Sequence, residues 1–463
     1  MRISTSRLTA YLEDLPGSAL LDRIGNLLPA LYLAWALPVL LIVAVVMPPW
    51  QNADEPMQML RIAQIADGGL LAHRIGNQSG GRTQLGIMQS VAPVGPVIQH
   101  PAKRVTLEML AKAGLPRWGA PVPLAFSASA IYPPVLYIPT ALGVAAAKWL
   151  GLSVVHGLIA ARMLNALVSA LIGALALLLA RATRLALATL LVLPMTVALF
   201  AAATQDGPMI ALTFAAVACV DNAVCGERDL TLPALLLAGI AVAAVITARL
   251  PYLPLAALPL VCARRAWRQA WFGFAAIAAA GMIWLFYTFA FITVPLRAGV
   301  DPAAQLLYLL HQPGTIMPLA IHTLIDEYGG LRVSFIGVLG WLDTVLPAWY
   351  YHVAMAMLLA AFVAATAKPK GRPWLALLIC LLGAGGLFFA QYLMWTPVGG
   401  SEVQGVQGRY FIPLAAVLAL AVPAWPPIGE LLRRPVLAAL LGYAVITPMV
   451  IIHALVLRYY LVP

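Results

Sequence analysis

Apolar runs separated by short polar stretches set the pattern of this chain. They lie near 28–47, 131–150, 154–180, 185–203, 208–224, 231–248, 251–263, 270–294, 346–366, 374–394, 411–425 and 435–456. Most approach the roughly 20 apolar residues that a helix needs to cross a hydrocarbon layer. A bilayer offers no partner to backbone N–H and C=O groups, so such runs predict helices. Two stretches interrupt the pattern. Residues 48–128 form the longest polar segment, and 295–345 mix Pro, Gly, aromatics and charges. No tandem repeat or low-complexity segment is evident.

The short loops between runs carry the basic residues: Arg181 and Arg184; Arg228; Arg264, Arg265 and Arg268; Lys368, Lys370 and Arg372; Arg433 and Arg434. Basic loops stay on the cytoplasmic side. If every run crossed, the loops would change sides before Arg181, so one earlier run must not cross. The run 131–150 is the one to exempt. It opens on Tyr132-Pro133-Pro134 and carries Pro139, and proline breaks a helix or is confined to its first turn. It reads as a re-entrant or interface-lying segment. The expectation is an all-α polytopic membrane protein, one transmembrane domain over 1–463 with about 11 (10–13) transmembrane helices. The N-terminus is then cytoplasmic and the C-terminus extracytoplasmic. Residues 48–153 form a large first extracytoplasmic loop with amphipathic or re-entrant interface helices, and 295–345 a second such loop.

Composition supports this class. The 463 residues are 62% hydrophobic and 10% charged, against about 25% charged in soluble domains. The net charge of +11 is spread over loops rather than one face, which argues against nucleic acid. Anionic lipid headgroups or a phosphate-bearing substrate are the better partners. Cys219, Cys225, Cys262 and Cys380 lie in or beside apolar runs, so they read as small buried hydrophobes. Residues 1–27 balance Arg2, Arg7 and Arg23 against Glu13, Asp14 and Asp22. They read as the lead into a retained first span, not a cleaved signal.

Four places could carry chemistry. The first is Asp54-Glu55-Pro56, where the chain leaves the first run. Pro56 suits the first turn of a helix. Met59, Ile62, Ala63 and Ala66 then make an apolar face, with Gln58, Arg61 and Gln64 on another. That predicts an amphipathic helix lying on the outer interface, ended by Gly68-Gly69. Asp54 or Glu55 caps this helix, or one of them is a general base or cation ligand. The second is 395–411, with Gly405, Gln407, Gly408, Arg409 and Tyr410. Arg409 either holds a phosphate or snorkels beside an interfacial Tyr410. The third is Asp206, alone between two apolar runs. It is a functional carboxylate by its cost at membrane depth, or a cap. The fourth is Arg162 with Asn165 one turn on. Arg162 either binds a lipid phosphate or snorkels to headgroups. Asp343 and the pair Asp326-Glu327 say less, and His100, His311 and His322 stand isolated. No phosphate loop, dinucleotide fingerprint, Gly-x-Ser-x-Gly elbow or zinc-protease motif occurs.

Taken in order, these elements resemble a bacterial integral-membrane family, domain of unknown function 2142. The matching features are Asp54-Glu55-Pro56 with its following helix, Tyr132-Pro133-Pro134, Ala161-Arg162-x-x-Asn165, Asp206, Gly340-Trp341-x-Asp343, and Gly405 to Pro413. They span nearly the whole chain. That family is similar to the multi-spanning GT-C glycosyltransferases. The resemblance implies a bacterial inner-membrane enzyme moving sugar from a polyprenyl-phosphate donor to an envelope glycan or lipid acceptor. It implies Asp54 or Glu55 as the catalytic acid group. It implies Arg162, Asn165, Asp206, Tyr132, Gln407, Arg409 and Tyr410 as substrate contacts. A divalent cation between Asp54, Glu55 and the phosphate is compatible with it; no other cofactor is implied. Where the family has aromatics, this chain has Met57-Gln58-Met59, which bears on acceptor contacts rather than on the acid. The alternatives are a polymerase of lipid-linked oligosaccharides, or a transporter or flippase of a lipid-linked sugar. A transporter would favour two related halves, and none is visible.

Overall fold

The computed structural model describes residues 18–297, 299–364, 371–422 and 426–461. The expectations for the tail 1–17 and for Lys368 and Lys370 fall outside the described residues. Six described helices are long and apolar enough to cross a membrane by length and composition. They are α1 (Ser18–Val46, its candidate span Arg23–Val46), α7 (Val154–Leu179), α10 (Asp206–Cys225), α13 (Trp267–Phe291), α17 (Pro373–Met394) and α19 (Pro426–Tyr459, its candidate span Leu431–Tyr459). Shorter apolar helices pack among them. These are α11 (Leu232–Ala248), α12 (Leu258–Cys262), α16 (Ala348–Val363) and α18 (Ile412–Ala421). The molecule is thus a mostly helical membrane protein.

The run 185–203 is not one helix. It forms α8 (Arg184–Val192) and α9 (Pro194–Phe200), with Leu193 extended between them at φ −57°, ψ 137°. A residue before proline is pushed out of the helical region, so Pro194 starts a new helix. Both pieces are buried on nearly every side. Likewise residues 134–137 make a tight turn, and α6 (Ile138–Trp149) starts with Pro139 in its first turn. At 1.5 Å per residue, the 12 residues of α6 reach about 18 Å, short of a hydrocarbon core of about 30 Å. α6 packs along α7, closely enough that a Cβ on Gly143 would lie 2.7 Å from the Ala160 backbone.

The first polar segment differs from a set of surface helices. Its first helix, α2 (Glu55–Ala66), is buried on both its apolar and polar faces: Gln58, Arg61 and Gln64 are as enclosed as Met59 and Ile62. It is therefore not an amphipathic helix floating on an interface. An antiparallel sheet of β1 (His73–Ile75), β2 (Gln78–Gln84) and β3 (Pro121–Ala125) lies against it, with α3 (Gly86–Val91) and α4 (Leu107–Gly114) between β2 and β3 and α5 (Ser127–Ala130) after β3. Gly80 and Gly81 make this fit. A Cβ on Gly80 would meet the Leu124 carbonyl at 2.0 Å, and one on Gly81 the Gln64 amide at 2.2 Å. Arg61 fastens the helix by donating to the carbonyls of Leu70 (2.7 Å) and Tyr132 (3.1 Å). Burial of that guanidinium lowers its pKa to about 10.

The second mixed segment is also largely structured. It holds α14 (Pro302–His311), α15 (Ile316–Ile336) and a small hairpin of β4 (Val338–Leu339) and β5 (Thr344–Val345). Asp301 caps α14 by accepting from the N–H groups of Ala303 and Ala304.

The basic loops gather at one end of the bundle. Asp221, near the close of α10, accepts from the backbone N–H of Arg181 and Thr183. Arg228 donates to Asn222, Asp229 accepts from the N–H of Arg264 and Arg265, and Arg372 donates to the carbonyl of Ala263. Arg433 lies within electrostatic reach of Arg184. Asp206 begins α10 and so stands at the opposite end.

The close α6–α7 approach yields a stability test. Gly143→Leu overpacks this contact, for which about 1–3 kcal/mol is the usual cost, and lowers the melting temperature in detergent. Gly442→Leu, where a Cβ meets nothing within 4 Å, leaves it unchanged. Equal melting temperatures for the two would show that α6 is not held against α7.

Candidate active site

Behind α1 the chain makes a rigid turn. Trp50 is fully buried in a left-handed conformation, φ 68°. Its indole donates to Ser90 (3.0 Å), while its carbonyl accepts from the Trp341 indole (2.9 Å). The N–H of Ala53 donates to the Gly340 carbonyl. The hairpin and α3 thus hold the turn from two sides. Asp54 follows at φ 62°, ψ −4°, also left-handed, at the N-cap of α2 but with no side-chain capping bond. A non-glycine residue held there costs roughly 1–3 kcal/mol and marks functional sites more often than others. The capping explanation for Asp54 is set aside by this geometry.

The adjacent carboxylates go separate ways. Glu55 is fully buried and grips Arg162 with both oxygens, at 2.8 Å to Nε and 2.5 Å to Nη2. It also accepts from Asn52 Nδ2 (3.1 Å) and the Ala203 N–H (3.1 Å). Arg162 spends its remaining donors on the carbonyls of Ala44 (2.9 Å), Met47 (2.7 Å) and Pro48 (3.1 Å). All five N–H groups of a guanidinium are then satisfied. Neither residue reaches open space, which corrects two expectations. Glu55 is not a base poised for substrate, and Arg162 neither snorkels nor waits for a phosphate, because its anion is Glu55. Asn165 likewise serves the frame: its amide donates to the Ala202 carbonyl at 2.7 Å, holding the turn after α9.

Asp54 faces outward. Its side chain is 56% exposed, and its carboxylate lies 3.2 Å from Nη2 of Arg409, which is 6% exposed. Asp206 forms a second pair with Arg249, also at 3.2 Å. The two pairs meet at Tyr410. The Arg249 guanidinium lies over its ring at 4.2 Å, and that of Arg409 stands 5.5 Å from the ring centre. Tyr252 donates to the Tyr410 carbonyl at 2.7 Å. Tyr132 borders the cluster: burial pushes its phenol up to about 12, Arg249 pulls it down, and Asp206 and Asp54 push it up. Seven residues from five separate segments, Tyr252 among them, thus share one electrostatic neighbourhood. Asp54, Asp206, Tyr132, Arg409 and Tyr410 were foreseen; Arg249 was not. It sits at the end of an apolar helix, where sequence offers only the reading of a charged tip.

Several buried polar atoms here have no partner: Thr204 Oγ1, both amide atoms of Gln205, Gln407 Oε1, Arg249 Nη1 and Arg409 Nε. A buried polar group without a partner costs about 1–3 kcal/mol, so these atoms are hydrogen-bonding capacity that no other protein group takes up. The loop bearing Arg409 is fixed by glycine. Gly408 packs so near α15 that a Cβ would meet the Leu331 carbonyl at 2.0 Å, and its N–H donates to Ser334 at 2.7 Å.

A shared cation between Asp54 and Glu55 does not fit this arrangement, since Glu55 is consumed by Arg162. Among the described residues no group of three His, Cys, Asp or Glu side chains could hold a metal ion. Elsewhere, Asp343 is not a cap but the partner of Arg458 at 2.6 Å. His322 pairs with Asp326 at 3.0 Å on exposed α15.

The buried pair predicts its own test. Removing one partner of such a pair costs about 3–5 kcal/mol. Arg162→Met therefore lowers the melting temperature sharply, and the double variant Glu55→Gln with Arg162→Met recovers part of the loss. An additive double variant would show that the two side chains are not coupled.

A family model described as predicted membrane protein (DUF2142) matches residues 37–418. The match takes in Asp54, Glu55, Arg162, Asp206, Arg249 and Arg409. No curated protein and no solved structure matches the chain. The chain belongs to the DUF2142 family of predicted membrane proteins.

Proposed function

We propose that this protein is a glycosyltransferase that moves a sugar from a polyprenyl-phosphate donor to an envelope glycan or lipid acceptor. The observation that carries the reading is Asp54: a half-exposed carboxylate, held in a strained conformation against a buried arginine, beside a second arginine–carboxylate pair. The setting is a bacterial inner membrane. The chain crosses about eleven times, the basic loops lie in the cytoplasm, and the cluster opens on the extracytoplasmic face. Broken and short helices such as α8–α9 and α18 make up the crossings beyond the six long ones. The resemblance that the sequence motifs suggest to GT-C enzymes points to the same assignment.

In this mechanism the Asp54 carboxylate takes the proton of an acceptor hydroxyl. The hydroxyl oxygen forms a bond to the anomeric carbon, and the bond from that carbon to the phosphate oxygen breaks. The electron pair leaves with the lipid phosphate, whose charge Arg409 and Arg249 offset as it develops. Arg409 also orients Asp54 before reaction. Asp206 holds Arg249, and Tyr410 is the surface on which both guanidiniums rest. Glu55 and Arg162 are positioning residues that fix the turn beneath Asp54. Transporters gather polar groups near the midplane; here they gather at one end of the bundle, which favours an enzyme.

Asp54→Asn is expected to fold and insert normally while transfer falls by about 10²–10⁴-fold, the usual worth of a general base. The assay is sugar transfer by purified protein from a polyprenyl-phosphate sugar, alongside complementation of a deletion strain. Full complementation by Asp54→Asn would remove Asp54 from the mechanism.

A further inference from the structure

An apolar cavity of about 530 Å³ lies between α14, α15 and α17. That is within the range of pockets that take whole small molecules. Its walls include Ala320 and Phe335 on α15 and Gly385 and Phe388 on α17, and it ends against Gly408 and Phe411. These last two residues bracket Arg409-Tyr410. The cavity therefore abuts the loop that carries Arg409 and Tyr410, the ring over which the Arg249 guanidinium also lies.

The polar end is incomplete in a specific way. Arg409 and Arg249 each keep one carboxylate partner, yet Nε of Arg409 and Nη1 of Arg249 are buried without an acceptor. The amide of Gln205, fully buried, has no partner at either atom. Two cations with spare donors ask for an anion of several oxygens. The neighbouring cavity offers no hydrogen bond and asks for hydrocarbon.

We infer that this cavity holds the single hydrocarbon chain of a lipid monophosphate whose headgroup is bound by Arg249 and Arg409. This rests on the proposed lipid-linked donor and assigns its two ends: the chain to the α15–α17 cavity, the phosphate to Arg249 as well as Arg409. One chain is the occupant because the volume is that of one small molecule, and because only Gly408 and Phe411 among its lining residues flank Arg409.

The test uses the purified full chain in detergent and a diazirine-bearing isoprenyl monophosphate. Crosslinks are expected within 316–335 and 384–389. Unlabelled isoprenyl monophosphate competes; the isoprenol, inorganic phosphate and a diacyl phosphatidate do not. A Cβ on Gly385 meets nothing within 4 Å, so Gly385→Trp fills the cavity without a backbone clash, and Ala320→Trp fills it from the facing wall. Arg249→Gln weakens labelling by about tenfold or more, the worth of one charge-assisted hydrogen bond or greater, and each filling variant weakens it by excluding the chain. Gly442→Leu, outside the cavity lining and with room for a side chain, labels as the parent does. Crosslinks elsewhere, or equal competition by isoprenol or phosphatidate, would overturn the inference. So would normal labelling of both filling variants at unchanged melting temperature. Specific labelling without any sugar transfer would sink the glycosyltransferase reading alone. Transfer that survives both filling variants would sink the cavity assignment alone.

Discussion

The buried ion pair between Glu55 and Arg162 is the constraint on which the rest of the site depends. An isolated charge in such surroundings is prohibitively costly, and a pair is tolerated only when every donor and acceptor is met. Here that condition is fulfilled by main chain. Arg162 on α7 collects three carbonyls from the end of α1, and Glu55 collects the Ala203 N–H from the turn after α9. One side-chain pair thereby welds three helices and fixes where the chain turns between Met47 and Asp54.

That weld has a consequence for its neighbour. With Glu55 pulled inward and Ala53 tied to the Gly340 carbonyl, Asp54 is left in a left-handed conformation with its carboxylate outward. The two adjacent acids are thus divided by environment. Glu55 is neutralised and structural; Asp54 is half-exposed and meets a cation that arrives from more than 350 residues away in the chain. The strain at Asp54 is offset by the network under it, as expected where a backbone outlier is over-determined by its surroundings.

The arginines come to the site by close backbone packing. Gly408 lets its loop lie directly on α15. Arg249 is delivered by the end of α11, and Tyr410 gives both guanidiniums a face to rest against. The site is therefore formed from the ends of helices, where unsatisfied polar groups concentrate, while the helix middles are apolar and tightly packed.

Sequence alone determined the class: long uncharged runs dictate helices in a bilayer, and scattered basic loops place those loops together. It also marked Asp54, Asp206 and Arg409, because charge beside apolar runs is conspicuous. Proline positions foretold the short α6, though the break before Pro194 inside the run 185–203 went unread because the run is uniformly apolar. What only tertiary structure decided is pairing. Nothing local says that Glu55 belongs to Arg162 and Asp54 to Arg409, since a carboxylate next to a helix start has the same pattern whether it caps, pairs or reacts. The polar face of α2 read as solvent-facing because periodicity reports amphipathicity, not what covers each face; the sheet 73–84 and 121–125 covers it. Arg249 stayed hidden for the same reason: a cation at a helix end is a topology signal until another segment folds against it.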